Sequence, residues 1–119
     1  LFTYQGWLPQ ELGIDDLDLC FFLSNMLENA KEAVEKIPLD IGERKIHLTI
    51  GTYKKLIFFD CVNTILPDGE SFTETAKNPD WHGFGLHNIH KIVQKYDGEF
   101  ELSFDRQTAT AHAVLHKNL

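Results

Sequence analysis

Residues 82–98 read HGFGLHNIHKIVQKYDG, and this stretch decides the fold. Two glycines, Gly83 and Gly85, precede a run of apolar residues at helical spacing, and Asp97-Gly98 is a typical helix end. The pattern predicts a helix that starts near Leu86 and buries one face, formed by Leu86, Ile89, Ile92, Val93 and Tyr96. A helix start behind a glycine loop suits a phosphate, but a glycine pair alone serves a tight turn as often.

A longer helix is predicted earlier in the chain. Asp15 and Asp16 offer an N-cap, and Pro38 ends the pattern after about Lys36. Apolar residues at steps of three and four predict one buried stripe, formed by Cys20, Leu23, Leu27, Ala30, Val34 and Ile37.

The remaining regular segments alternate in the manner of strands. Residues 44–50 and 54–65 predict a hairpin that turns after Gly51, and residues 99–116 predict a closing hairpin. The first dozen residues are an extended lead-in with one edge strand, whereas residues 66–81 show no period. This order predicts a single α+β domain with a mostly antiparallel sheet and helices on one face.

Composition and net charge argue against several classes of function. The 119 residues carry a formal net charge of −7, which argues against nucleic-acid binding and against an anionic membrane surface. An acidic domain can still bind ATP, since a metal ion and backbone dipoles neutralise phosphates locally. Cys20 and Cys61 lie in apolar stretches and are interpreted as reduced core cysteines. No apolar run is long enough to span a bilayer, and no signal peptide is expected from these residues.

Polar residues on the long helix form a second motif. Asn25, Asn29 and Glu32 share one face, which the helical period places roughly opposite the apolar stripe. They are either solvated surface residues or a place where asparagine amides give carbonyl oxygens to Mg²⁺, which also takes ligands from phosphates.

Taken together, the helical N-x-x-x-N-A, the hairpin, the long loop and G-x-G-L-x-x-I-x-x-I-V-x-x-Y-x-G resemble the GHKL ATP-binding superfamily. Within it, the chain resembles the catalytic domain of a bacterial sensor histidine kinase, and residues 14–33 are similar to kinases of the peptide-pheromone-sensing type. The resemblance implies the Bergerat-type two-layer α/β sandwich, with ATP between the helices under a mobile lid. Residues 64–82 would be that lid, and residues 1–119 one domain of a larger kinase.

The resemblance also implies roles for particular residues. Asn25 and Asn29 match the asparagines that hold Mg²⁺ and the phosphates. Asn63 matches the asparagine that follows the second strand. The glycine box at the start of the helix, which meets the triphosphate, corresponds to Gly83, Phe84, Gly85 and Leu86.

One position departs from the family pattern. Typical members have Asp-x-Gly-x-Gly after the strand, and the aspartate accepts a hydrogen bond from the adenine amino group. The best register puts Val62 at that position, and sliding Asp60 into it would misplace Asn63. The departure weakens the expectation of adenine specificity, because a charge-assisted hydrogen bond to a buried base is worth roughly 1.5–3 kcal/mol.

The leading hypothesis is an ATP- and Mg²⁺-dependent protein-histidine kinase domain that donates the γ-phosphoryl group to a histidine on a separate dimerisation domain. The isolated domain is expected to be nearly inactive, with no certain catalytic residue of its own. By resemblance, the parent is a homodimer anchored in the bacterial cell membrane, this domain is cytoplasmic, and a response regulator acts downstream.

Two alternatives remain at this point. One is a degenerate GHKL module that binds a partner and uses nucleotide weakly or not at all. The other is an anti-sigma serine kinase, which would be self-contained, whereas the start at Leu1 indicates a fragment. His82, His87 and His90 lack the companions of a confident zinc site, and none of the six histidines is expected to be the phosphoacceptor.

Overall fold

A computed structural model describes residues 2–6, 13–65 and 79–117, with the backbone alone for residues 79–85. Across these residues the elements follow in the order β1 (Phe2–Gly6), α1 (Asp16–Glu35), β2 (Ile46–Tyr53), β3 (Leu56–Thr64), α2 (Pro79–Lys95), β4 (Glu99–Phe104) and β5 (Thr108–His116). Neither of these helices is long and apolar enough to cross a membrane. The predicted lid, residues 64–82, lies mostly outside the described residues.

The strands form one sheet in the order β1-β2-β3-β5-β4. Strand β1 runs parallel to β2 at one edge, and the other neighbours are antiparallel. The predicted edge strand and the two hairpins are therefore confirmed. The first hairpin turns later than predicted, because Gly51 continues β2 and Lys54, with a φ of 55°, makes the turn.

Both helices pack on the same face of the sheet, as predicted. Phe22 of α1 is fully buried, and its ring meets that of Phe59 on β3 edge-on, with 5.0 Å between the centroids. Ile89 and Val93 of α2 belong to the same buried cluster. Burial of this apolar surface between the two layers is the main stabilising term of the fold.

Helix α1 begins as predicted, because the Asp15 carboxylate accepts a hydrogen bond from the N–H of Leu17. The predicted stripe is confirmed for Ala30, Val34 and Ile37, which are buried, but its first part is rotated. Phe22 and Met26 are buried, whereas Cys20 is exposed. Phe22 and Met26 recur at the same spacing as the predicted residues and remove more apolar area from water than Cys20 and Leu23.

The two cysteines therefore differ. The prediction of a core position is wrong for Cys20 and confirmed for Cys61, which lies on the inner face of β3. Burial raises the pKa of the Cys61 thiol to about 11. This thiol is consequently neutral at physiological pH and acts as a packing residue.

Helix α2 begins at Pro79, not near Leu86, so the predicted start is wrong. Proline is well suited to the first position of a helix, and glycines are tolerated inside one at a modest cost. Its end follows the prediction: Asp97 adopts a φ of 49°, and the N–H of Gly98 donates to the carbonyl of Val93 at 2.8 Å. A Cβ atom on Gly98 would lie 2.1 Å from the carbonyl oxygen of Val114, so only glycine fits there.

Candidate functional site between the helices and the sheet

A small pocket of about 30 Å³ opens between the two layers where α1, α2 and the β3-β5-β4 part of the sheet meet. Most of its walls are apolar, and two asparagines contribute the polar part. The lining residues are Met26, Asn29, Ala30, Cys61, Asn63, Ile89, Phe100, Leu102, Phe104, Ala109 and Ala111. A mostly apolar pocket with a few convergent polar groups is the usual form of a small-molecule site.

Asn63 is the polar side chain that β3 directs into this pocket. Alternation along the strand puts Cys61 and Asn63 on the inner face, and Asn63 is only 8% exposed. Its Nδ2 donates to the carbonyl of Thr64 at 3.0 Å. In the described part of the chain its Oδ1 has no hydrogen-bond partner. A buried acceptor of this kind costs free energy unless water or a ligand donates to it.

The same alternation places the side chains of Val62 and Asp60 outside the pocket. Val62 lies on the opposite face of β3, so its side chain points away from the pocket. Asp60 shares that outer face, where its carboxylate contacts Nδ1 of His112 on β5. Of the polar side chains at the end of β3, Asn63 is the one that faces the pocket. The signal was present in the sequence, because Asn63 has the same parity as Ile57, Phe59 and Cys61.

Asn29 brings the second polar group to the pocket, from α1. Because the buried face of α1 is rotated toward Met26 and Ala30, Asn29 lies at its margin rather than opposite to it. Asn25 is not part of the lining: its Nδ2 donates to the carbonyl of Phe21 at 2.8 Å. That bond leaves the Oδ1 of Asn25 available as an acceptor or ligand. Glu32, on the same face, is exposed.

The four residues of the predicted glycine box all fall within α2. Gly83, Phe84 and Gly85 have helical backbone, and Leu86 is partly exposed in the same helix. Asp18 near the start of α1 contacts Lys95 at the end of α2, so the two helices run in opposite directions. The N-terminal half of α2 therefore lies alongside the half of α1 that carries Asn25 and Asn29.

The other end of the helix pair is joined by a cluster that the sequence did not indicate. The hydroxyl of Tyr96, which is 3% exposed, donates to Oδ2 of Asp18 at 2.6 Å and accepts from the N–H of Asp15 at 2.9 Å. Nζ of Lys95 lies 2.7 Å from the same carboxylate oxygen. These three side chains, Asp18, Lys95 and Tyr96, are named the tyrosine clamp below.

The clamp shifts the pKa of each of its members. The hydrogen bond from Lys95, and after it that from Tyr96, holds the pKa of Asp18 below its ordinary value. The same contact raises the pKa of Lys95, while burial and then the bond to Asp18 raise the pKa of Tyr96. Asp18 is thus ionised and Lys95 and Tyr96 are protonated at neutral pH, the states in which all these bonds form.

The asparagines of α1 suit a metal ion only in company with a nucleotide. In residues 2–6, 13–65 and 79–117, no group of three or more histidine, cysteine or acidic side chains is arranged to hold a metal. Asn25 and Asn29 offer neutral amide oxygens, which are ligands that Mg²⁺ accepts. Two neutral ligands are too few for a free ion, so a phosphate chain has to supply the others.

Comparisons with known proteins agree with this fold. A family model described as a GHKL domain matches residues 14–115. No curated protein matches the chain. Among solved structures, the catalytic domain of histidine kinase ThkA is 20% identical with a TM-score of 0.69, over 98% of this chain and 77% of that one.

Two longer proteins share the same architecture. Histidine kinase AdeS of Acinetobacter baumannii is 11% identical with a TM-score of 0.66, over 98% of this chain and 53% of that one. Full-length ShkA, solved in complex with AMPPNP, is 19% identical with a TM-score of 0.67, over 96% of this chain and 25% of that one. At these identities the likeness is one of fold.

Proposed function

The chain belongs to the GHKL domain family, and we propose that it is the ATP-binding catalytic domain of a sensor histidine kinase, which donates the γ-phosphoryl group to a histidine on a separate domain. One observation carries the proposal. Asn29 of α1 and Asn63 of β3 converge from different layers on one pocket of a fold that histidine kinase catalytic domains share.

In this proposal the two asparagines bind opposite ends of the nucleotide. The Oδ1 of Asn63 accepts a hydrogen bond from the amino group of the base, because its Nδ2 is already engaged by Thr64. The amide oxygens of Asn29 and Asn25 face the phosphates and the Mg²⁺ that accompanies them, and the ion neutralises phosphate charge. The chain itself binds and orients the nucleotide, and the acceptor imidazole on the other domain is the nucleophile.

The pocket has to widen for this purpose. Its volume of about 30 Å³ has room for only a few water molecules, and a nucleobase is several times larger. Nucleotide binding is consequently expected to separate α2 and β4 locally. That step lowers the affinity by the free energy that the separation costs.

Calorimetry tests the proposal directly. We expect the chain to bind ATP in the presence of Mg²⁺, to bind GTP more weakly because guanine has no amino group at the equivalent position, and to give no heat with Mg²⁺ alone. Asn29→Ala should weaken Mg²⁺–ATP binding by about tenfold or more, the loss of one good polar contact. Glu28→Ala is the matched control, since Glu28 is the exposed neighbour of Asn29 on α1.

A second candidate is a degenerate GHKL module that serves as a partner-binding or regulatory domain. The observation that favours it is the pocket itself, which is small and whose polar lining among the described residues consists of two neutral asparagines, Asn29 and Asn63. This candidate predicts no heat with millimolar ATP and no effect of Asn29→Ala. Binding of ATP that depends on Asn29 would exclude it.

The proposal extends to the parent protein. From the sequence resemblance we infer a homodimeric kinase of the peptide-pheromone-sensing type, with a dimerisation and phosphoacceptor domain, a response regulator and an anchor in the cell membrane. Residues 1–119 form its cytoplasmic ATP-binding domain, with a lid at residues 64–82. Incubation of this chain with radiolabelled ATP should leave it unlabelled, whereas the full-length protein should be labelled on histidine.

A further inference from the structure

A second cavity lies on the outer side of the helix pair, away from the pocket between the layers. It is an open groove of about 240 Å³, named the outer groove here, with Asp18, Phe21, Asn88, Lys91, Ile92 and Lys95 as its lining. The first two residues come from α1 and the other four from α2. The nucleotide site uses none of these side chains, so the outer groove is free for another role.

An apolar row borders the outer groove along α1. Leu17 is 70% exposed and Phe21 is 58% exposed, and Cys20, on the same face of the helix, is exposed as well. Residues at these spacings lie side by side on a helix, so they form one surface rather than scattered contacts with solvent. Such a surface beside a groove is typical of an interaction site.

The opposite wall of the outer groove is basic. Lys91 and Lys95 lie one turn apart on α2 and face one carboxylate, that of Asp18. In the described part of the chain Lys91 has no ion-pair partner. The groove therefore carries a net positive charge on a molecule whose net charge is −7. Because Asp15 and Asp16 lie at the start of α1, an acidic group is favoured on the α2 side.

The walls of the outer groove are held in place before any partner arrives. The tyrosine clamp joins the start of α1 to the end of α2 through Asp18, which is itself a wall residue. Ile92, on the floor, is 8% exposed and packed in the core. A fixed groove loses little conformational entropy on binding, which favours affinity.

From these contacts we propose that the outer groove docks an amphipathic, acidic helix of a partner. A helix fits because the ridges of one helix pack into the groove between two others. Its apolar face covers Leu17, Cys20 and Phe21, and a carboxylate on its flank pairs with Lys91. This inference does not depend on nucleotide binding.

Titration of the isotope-labelled chain with a designed helical peptide of leucine and glutamate tests the proposal. Backbone amide spectra at low salt, without nucleotide, should change most at residues 17–21 and 88–95. A peptide of the same length with lysine in place of glutamate should bind at least about tenfold more weakly, because Lys91 repels it. The net charge of −7 favours the opposite preference, so selection of the acidic peptide would report the local charge of the groove.

Two exposed substitutions complete the test. Phe21→Glu and Lys91→Glu should each weaken binding of the acidic peptide by about tenfold. The matched controls are Leu39→Glu and Lys55→Glu, at positions that are exposed and do not line the groove, and they should bind as the unchanged chain does.

Three outcomes would overturn the proposal. The first is equal binding of the two peptides, and the second is a set of spectral changes outside the outer groove. The third is concentration-dependent self-association of the chain that Phe21→Glu abolishes, measured by sedimentation, because the groove would then be an interface between copies.

Discussion

The two ends of the helix pair differ in how completely their buried polar side chains are hydrogen-bonded. At the clamped end, Tyr96 both donates and accepts a hydrogen bond, and Asp18 binds two partners. At the pocket end, Asn63 is also buried, yet one of its two polar groups has no partner among the described residues. Satisfied polar groups fix a structure, whereas a group left open stands ready for a ligand. The difference separates residues that hold the fold from residues that serve the site.

The largest expected effect on stability comes from adding a side chain at Gly98, which follows the clamped end of α2. Gly98→Val puts a side chain 2.1 Å from the carbonyl oxygen of Val114, so the connection between α2 and β4 has to move away from β5. We expect a loss of roughly 3 kcal/mol or more in the free energy of unfolding, measured by urea denaturation. Gly51→Ala, where a Cβ atom meets nothing within 4 Å, should change it little. Equal effects of the two changes would contradict the close approach seen at Gly98.

Loss of the hydrogen bonds of the tyrosine clamp should have the next largest effect on stability. Tyr96→Phe removes both hydrogen bonds of the hydroxyl and leaves the N–H of Asp15 and the carboxylate of Asp18 without it. We expect the free energy of unfolding to fall by about 1–3 kcal/mol. Tyr53→Phe removes an exposed hydroxyl and should be neutral. If Tyr96→Phe left the free energy of unfolding unchanged, the hydrogen bonds of the clamp would not distinguish the two ends.

At the pocket end, a substitution should lower ligand affinity without lowering stability. Asn63→Val replaces an incompletely paired amide by an apolar residue that suits a strand, so the free energy of unfolding should stay the same or rise. ATP affinity, measured by calorimetry, should fall by about tenfold or more, because the acceptor for the base is lost. A marked loss of stability would assign Asn63 to the fold rather than to the site.

The smallest effect concerns the pH dependence of the clamp. The folded-state pKa of Asp18 lies below its ordinary value of 3.8, so the stability it contributes is present above that value and is lost as the pH falls through the folded-state pKa. The difference in unfolding free energy between the unchanged chain and Asp18→Asn should therefore shrink when the pH falls from 7 to about 3.

Glu43→Gln is the control for this comparison, because Glu43 pairs with Lys45 at an exposed position. Exposed pairs contribute little. We expect a pH-dependent difference at Asp18 that exceeds the one at Glu43. The reverse order, measured by thermal denaturation across the same pH range, would show that the clamp carboxylate acts as an ordinary surface group.

Most of the fold could be predicted from the sequence because each element has a local signal. The alternation of β3 and β5, the Asp15 cap and the Asp97-Gly98 end of α2 are all readable within a few residues. The errors arose where two local patterns compete. Two stripes on α1 have the same period, and only packing against Phe59 selects the one with Phe22.

In the candidate site, too, some placements follow from a local pattern and others depend on tertiary packing. The inward direction of Asn63 follows from the parity of β3, so this part was within reach of the sequence. The tyrosine clamp was not, because Tyr96 and Asp18 are 78 positions apart and each has an ordinary local role. The placement of Asn29 beside the pocket also depended on the rotation of α1, which is a property of the packed core.

Strand β1 has a consequence for the order of folding. It is exposed along its whole length, and it pairs with β2 only across a sequence separation of more than forty residues, whereas β2 to β5 join through hairpins and one helix. Long-range pairing with little burial forms late and opens early. The amide protons of residues 2–6 should therefore exchange with solvent well before those of β3, as the first unit of the sheet to unfold and the last to assemble.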